Sequence, residues 1–406
     1  MKVGFNVFSI HCLILLILSR FIVINAGIRH NKPMAFVYRS IVRVPFVKNN
    51  NNILSTTFFT RVHQHQHHQR LLLRTDRNNQ YLWKERRQLF SSTCLRMSSY
   101  NDIVISLKDA ISLHGNENVI FVDGSWHLDK SISALKDYTT GPRISGATFL
   151  DIDGLNPHES LPHMMPHYTT LQQFAQDTNI IIPPTRTSLS KERIVIVYGT
   201  KDAGKFTARA WYTLYCFASI FNKKQNNNDL IIVKWMQGSL KDWQDQGGPI
   251  DTESIKSWSM TSSDEEDETK FPQMVTKQQV LNVIDGNDGI VQLVDARSEA
   301  RFRAEAPEPR PGLRLGHMPG AINVPFTDCL MATNDNLKPV EELKQVFTQK
   351  NIDVTSNNPV YVSCGSGVTA STVALALIAC GRDPESVHVY DGSWIEWGGD
   401  PNTPIV

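Results

Sequence analysis

The sequence runs to 406 residues with 41 Lys and Arg against 40 Asp and Glu, but the balance is uneven along it. Residues 1–98 hold 15 basic and two acidic residues, which leaves the remaining 308 with a formal charge of −12. An acidic body without a basic stripe argues against nucleic acid as a partner, because phosphate contacts supply most of that affinity.

Taken in chain order, Ile10–Leu18 form a mostly apolar run closed by Arg20. It is too short for a membrane span and suits the core of a signal peptide. From Gly27 to about Arg96 the chain is rich in Arg, Asn, Gln, His and Ser, with only Asp76 and Glu85 acidic. That is the composition of an organellar transit peptide, so residues 1–98 are predicted to be a targeting leader for a mitochondrion or plastid, with no stable membrane span in the mature protein. The tract His63-Gln-His65-Gln-His67-His68 falls inside this leader without acidic or cysteine company, and no metal is expected there.

The body repeats one plan twice. In residues 99–250 an apolar strand, Val119–Gly124, precedes a Gly-Ala turn and a second strand, Ser145–Ile152. A third strand, Ile194–Tyr198, leads to a helix, Thr207–Ile220, and a fourth strand, Leu230–Lys234. Residues 251–272, which include Ser262-Ser-Asp-Glu-Glu-Asp-Glu268, are too charged for a core and are predicted to be a solvated linker.

In residues 273–406 the plan recurs as strand Ile290–Asp295, turn and strand Gly316–Pro325, strand Pro359–Ser363, a helix from about Thr369, and strand Val387–Asp391. Apolar strands alternating with helical stretches predict an α/β fold of two tandem domains, each a parallel sheet with helices on both faces.

Six cysteines occur without a Cys-x-x-Cys pair, which points to free thiols. Cys364 stands apart from Cys216, Cys329 and Cys380. The segment Cys364-Gly365-Ser366-Gly367-Val368-Thr369 leaves a strand and enters a helix, where unpaired N–H groups and the helix dipole favour negative charge. Flanking glycines let the backbone curl around that charge, the setting of a cysteine nucleophile. Cys380, before the predicted cap Gly381, has the context of a core residue.

The tandem repeat, this cysteine loop and the closing Asp391-Gly-Ser-Trp-Ile-Glu-Trp397 resemble the two-domain rhodanese superfamily over roughly Ile103 to Val406. The neutral Gly365-Ser366 pair is similar to the 3-mercaptopyruvate sulfurtransferase branch, whereas thiosulfate sulfurtransferases carry Arg and Lys after the cysteine. Thiosulfate is a dianion that needs cations at the cysteine, while mercaptopyruvate has one carboxylate that arginines elsewhere can hold.

The resemblance implies that Cys364 carries sulfur as a persulfide, with backbone groups of Gly365, Gly367, Val368 and Thr369 around it. It implies that Arg301 and Arg310 bind the donor, that Ser366, His163 and Asp153 form a proton relay, and that no metal or organic cofactor takes part. Expected partners are a small sulfur donor and a thiol acceptor such as thioredoxin or a low-molecular-weight thiol, or cyanide. Arg303 and Arg314 are expected to form surface ion pairs.

The first domain has Gly199-Thr-Lys-Asp-Ala-Gly204 where the second has its cysteine loop, so it is expected to be a scaffold and one wall of the cleft. Arg143-Ile-Ser-Gly-Ala147 departs from the family's His-x-Pro-Gly-Ala. A thiosulfate sulfurtransferase and a noncatalytic rhodanese-like binding module remain the rival readings. A cysteine phosphatase would need an arginine closing the loop, and Cys364–Thr369 has none.

Overall fold

The computed structural model describes residues 99–181, 192–200, 204–224, 230–255 and 269–406. The predicted leader, its histidine tract and the acidic run 262–268 lie outside the described residues. The first half contributes β1 (Val104–Ile105), β2 (Val119–Asp123), β3 (Arg143–Ile144), β4 (Thr148–Phe149), β5 (Glu192–Tyr198), β6 (Leu230–Met236) and β7 (Ile250–Asp251). The second contributes β8 (Met274–Val275), β9 (Gln292–Asp295), β10 (Ile322–Asn323), β11 (Val360–Ser363) and β12 (Val387–Tyr390).

Five strands of each half form a sheet, in the orders β1-β6-β5-β2-β4 and β8-β12-β11-β9-β10. All pairings within these two sheets are parallel. The orders correspond strand for strand, so the repeat in the sequence is a repeat of topology.

Side chains alternate across each central strand, as the two-residue period of a strand requires. Val195 and Val197 of β5 face one core with Trp211 and Phe217, while Ile194, Ile196 and Tyr198 face another with Trp243. In β11, Val360 and Val362 join the first of these cores, and Tyr361 packs on a third, around Trp394 and Trp397.

The shared core lies between the sheets, where the helix Ala208–Lys224 packs on the helix Ala370–Ala379. The latter reads Ala-Ser-Thr-Val-Ala-Leu-Ala-Leu-Ile-Ala and is buried throughout, as an apolar helix without a polar face must be. Each fully buried Val, Leu or Ile in it contributes about 1.5–3 kcal/mol relative to exposure. The helix ends at Cys380, and Gly381 takes φ +97° as the predicted cap.

Two expectations change. The strand predicted over Ser145–Ile152 shortens to Thr148–Phe149, because the Asp151 side chain accepts the Asp153 amide at 3.0 Å and turns the chain away. Asp251, expected to open the linker, instead pairs antiparallel with Arg143, and its carboxylate accepts from Ser145 Oγ at 2.8 Å and Gly146 N at 3.0 Å. The Ile255 amide also returns to Thr139 O at 2.8 Å, so the chain to 255 is fastened to the first half.

Candidate active site

Cys364 follows the last residue of β11 and is 1% exposed. Gly367 takes φ +81°, the left-handed region open to glycine, and turns the loop into the buried helix. The helix Ser393–Gly399 clamps the loop from one side. Cys364 N donates to Ser393 Oγ at 3.2 Å, and the amides of Trp394 and Ile395 donate to the carbonyls of Cys364 and Gly365, each at 3.0 Å. These bonds occupy the Cys364 amide and two carbonyls, whereas the amides of Gly365 through Thr369 donate to no group among the described residues. Successive free N–H groups in the loop that follows a cysteine suit a bound anion.

Arg301 closes the loop on the side of Gly365. A Cβ added to Gly365 would lie 3.1 Å from Arg301 Nη2, so any larger residue would have to displace the guanidinium. Arg301 is held by Glu308, to which its Nε donates at 3.2 Å and its Nη2 also donates. Glu308 is nearly inaccessible and takes a second cation, Arg297 Nη1, at 2.8 Å. Arg297 is itself buried against Asp295 at the end of β9. The guanidinium of Arg301 is thus fixed through a buried chain of alternating charge, and Arg297 and Glu308 enter the site unforeseen.

Arg310 approaches from the same segment, and its Nη2 lies 3.4 Å from His163 Nε2. Burial lowers the Arg310 pKa; Arg301 acts in the same direction, while the charges of Cys364, Asp153 and Glu308 oppose it.

His163, from the first half, is buried in a left-handed conformation with φ +62°. Its Nδ1 stands 2.6 Å from Asp153 Oδ1, which places the proton on Nδ1 and leaves the Nε2 lone pair to accept from Arg310. The other Asp153 oxygen accepts from Trp126 Nε1 at 3.1 Å and Lys130 Nζ at 2.9 Å. Trp126 also packs edge-on against the His163 ring, 4.9 Å between centroids.

Burial lowers the His163 pKa; Asp153 works against that, and the positive charges of Lys130 and Arg209 reinforce it. For Asp153, burial raises the pKa but is outweighed by His163 and Lys130, which hold the carboxyl below the usual range. The pair is therefore a neutral imidazole on an ionised carboxylate at neutral pH.

Of the expected relay, the structure joins His163 to Asp153. Ser366 is buried in the loop, and its hydroxyl has no hydrogen-bond partner among the described residues, so its link to His163 is not made here. Arg303 forms the expected exposed pair with Glu299. Arg314 does not form an ion pair: it donates to the carbonyls of Trp397, Gly398 and Thr403 at 3.0, 3.2 and 3.0 Å, closing the end of the Ser393–Gly399 helix.

The model of the family described as Rhodanese-like domain matches residues 276–400. The 3-mercaptopyruvate sulfurtransferase of Mus musculus is 33% identical over 279 residues, which is 68% of this chain and 84% of that protein. The chain belongs to the two-domain rhodanese family. It is a sulfurtransferase in the 3-mercaptopyruvate sulfurtransferase branch.

Another relative is the protein named thiosulfate/3-mercaptopyruvate sulfurtransferase 1, mitochondrial, of Arabidopsis thaliana. It is 31% identical over 348 residues, 79% of this chain and 84% of that one. Among solved structures, SseA from Escherichia coli, described as a 3-mercaptopyruvate sulfotransferase, superposes with a TM-score of 0.54 at 26% identity, over 73% of this chain and 99% of its own.

Burial pushes the thiols of Cys216 and Cys329 far above their usual range and that of Cys380 up to about 12, which keeps them protonated. Among the described residues, no cluster of three His, Cys, Asp or Glu side chains is arranged to hold a metal ion, and no helix is long and apolar enough to cross a membrane.

Proposed function

We propose that Cys364 takes the sulfur of 3-mercaptopyruvate and passes it to a thiol. The observation that carries this reading is the placement of two guanidiniums beside a neutral cysteine loop: Arg301 against Gly365, and Arg310 against His163. Such a site can hold a carboxylate from one side while leaving the sulfur facing the cysteine.

In the first half-reaction the Cys364 thiolate attacks the donor sulfur. An S–S bond forms as the donor's C–S bond breaks, and the bonding pair becomes the enolate of pyruvate. The donor's thiol proton, passed through Ser366 once the bound donor bridges it to the His163–Asp153 pair, returns to that carbon and completes pyruvate. Arg301 and Arg310 oppose the negative charge of carboxylate and enolate, and the free loop amides that of the persulfide. In the second half, an acceptor thiolate attacks the outer sulfur, leaves as its own persulfide and restores the Cys364 thiolate. Cyanide would leave as thiocyanate.

Thioredoxin or a low-molecular-weight thiol fits the acceptor role. The composition of residues 1–98 supports delivery to an organelle, mitochondrion or plastid, and the Arabidopsis relative is named mitochondrial. Residues 99–255 serve as the noncatalytic half and residues from about 273 as the catalytic one.

The deciding experiment compares turnover with mercaptopyruvate and thiosulfate in the wild type and in Cys364→Ser. Strong preference for mercaptopyruvate, abolished by the substitution, is expected. A preference for thiosulfate would overturn the donor, and an unaffected Cys364→Ser protein would favour a binding module with an idle cysteine.

A further inference from the structure

Arg209, in the helix Ala208–Lys224 of the first half, is 1% exposed, and its Nη2 donates to two groups. One is Asp391 Oδ1 of the second half at 2.8 Å; the other is the carbonyl of His163. The second Asp391 oxygen accepts the Met165 amide at 2.6 Å, two residues beyond His163. Asp391 directly precedes the Gly392–Ile395 turn that clamps the carbonyls of Cys364 and Gly365. Nη1 of Arg209 has no hydrogen-bond partner, and it lies 3.3 Å from where a Cβ on Gly367 would sit. One buried guanidinium therefore touches the histidine loop, the aspartate under the cysteine clamp, and the bare backbone of the cysteine loop.

We propose that Arg209 is a positioning residue for sulfur transfer, holding the His163 loop of the first half in register with the Cys364 loop of the second. A left-handed backbone at a non-glycine residue persists only where its surroundings over-determine it. The bonds to the His163 carbonyl and the Met165 amide supply that constraint on the backbone leaving the residue. With the backbone fixed, Nδ1 stays beside Asp153 at 2.6 Å and Nε2 beside Arg310 at 3.4 Å. The charged groups facing His163 are Asp153, Lys130, Arg209 and Arg310; Arg310 comes to it from the second half, and Arg209 reaches from the first half to Asp391 of the second.

This inference rests on reading Cys364 and His163 as site residues, so its test carries one readout that needs no donor. Arg209→Lys keeps a cation for Asp391 but lacks the forked guanidinium that reaches the His163 carbonyl at the same time. Arg209→Met with Asp391→Asn removes both charges together, so that no buried charge is orphaned. In nitrogen-15 spectra of the unliganded wild type, His163 is expected as a single Nδ1–H form. In both variants it should become a mixture of tautomers.

Turnover of the variants should fall by roughly tenfold with the donor KM within about twofold, because a proton-handling group is misplaced while Arg301 and Arg310 are untouched. A merely structural arginine would change stability and leave the spectrum of the folded protein alone. Folded variants with the wild-type His163 spectrum and wild-type turnover would overturn the proposal. Failure of the wild type to use the donor would leave the spectral result standing and sink the functional reading instead.

Discussion

Arg301 Nη2 lies 3.1 Å from the point at which a side chain on Gly365 would begin. The cysteine loop and Arg301, the arginine proposed to bind the donor, are thus fitted to one another, and Glu308 prevents the guanidinium from swinging clear. Gly365→Ala is expected to raise the donor KM about fivefold by displacing a group that contacts the bound donor, with turnover less affected. Steady-state kinetics in mercaptopyruvate would show this, and an unchanged KM would mean that Arg301 does not contact the donor.

Glu308 is buried between Arg297 and Arg301. Glu308→Gln removes the charge that compensates two guanidiniums, which should cost about 3 kcal/mol of stability and raise the donor KM as Arg301 loosens. Denaturant melts beside kinetics separate the two effects. Arg303→Ala is the control: its pair with Glu299 is exposed, and stability should move by about 0.5 kcal/mol or less with no change in KM.

His163 has its pKa lowered below the ordinary 6.5, so it stays neutral as the pH falls through that value. Activity that needs neutral His163 should persist at pH 6.5 and decline only below it. Lys130 contributes to the depression from a partly exposed position, so Lys130→Ala should move the acid limb of the rate profile to higher pH by a fraction of a unit. A limb that stays in place would remove His163 from proton transfer.

Asp123 ends β2 as Asp295 ends β9, and each accepts the amide two residues on at 2.9 Å. Asp295 has Arg297 as a buried cation, whereas Asp123 has Ser125. Burial, opposed by Ser125, raises the Asp123 pKa from 3.8 to about 6. The folded state therefore holds a proton that the unfolded chain has lost, and stability from this group falls as pH rises from about 4 to 6. Above that window the cost is on the order of 3 kcal/mol. Asp123→Asn should raise the melting temperature at pH 7, with the gain fading toward pH 4; a gain independent of pH would contradict the assignment.

Much of this arrangement was legible in the sequence because it is local. Runs such as Ile194–Tyr198 and Val360–Ser363 signal buried parallel strands, and a cysteine followed by glycines at a strand end signals its own exposure to a helix N-terminus. What escaped is non-local. Glu308 looks like one of several surface carboxylates in its segment until Arg297 and Arg301 are seen on either side. Arg209 meets Asp391 only because two helices from different halves pack together. Arg314, expected to pair with a glutamate, caps a helix more than 80 residues away. The place of Ser366 in a relay rests on likeness alone, since its hydroxyl makes no hydrogen bond to His163 here.

The most direct test of the account is peptide mass spectrometry of the wild-type protein after brief exposure to mercaptopyruvate without an acceptor. The account predicts the mass of one additional sulfur atom on the peptide containing Cys364, formed together with one equivalent of pyruvate and removed when a thiol acceptor is added. Pyruvate release with no added sulfur, or sulfur found on Cys216, Cys329 or Cys380 instead, would contradict it.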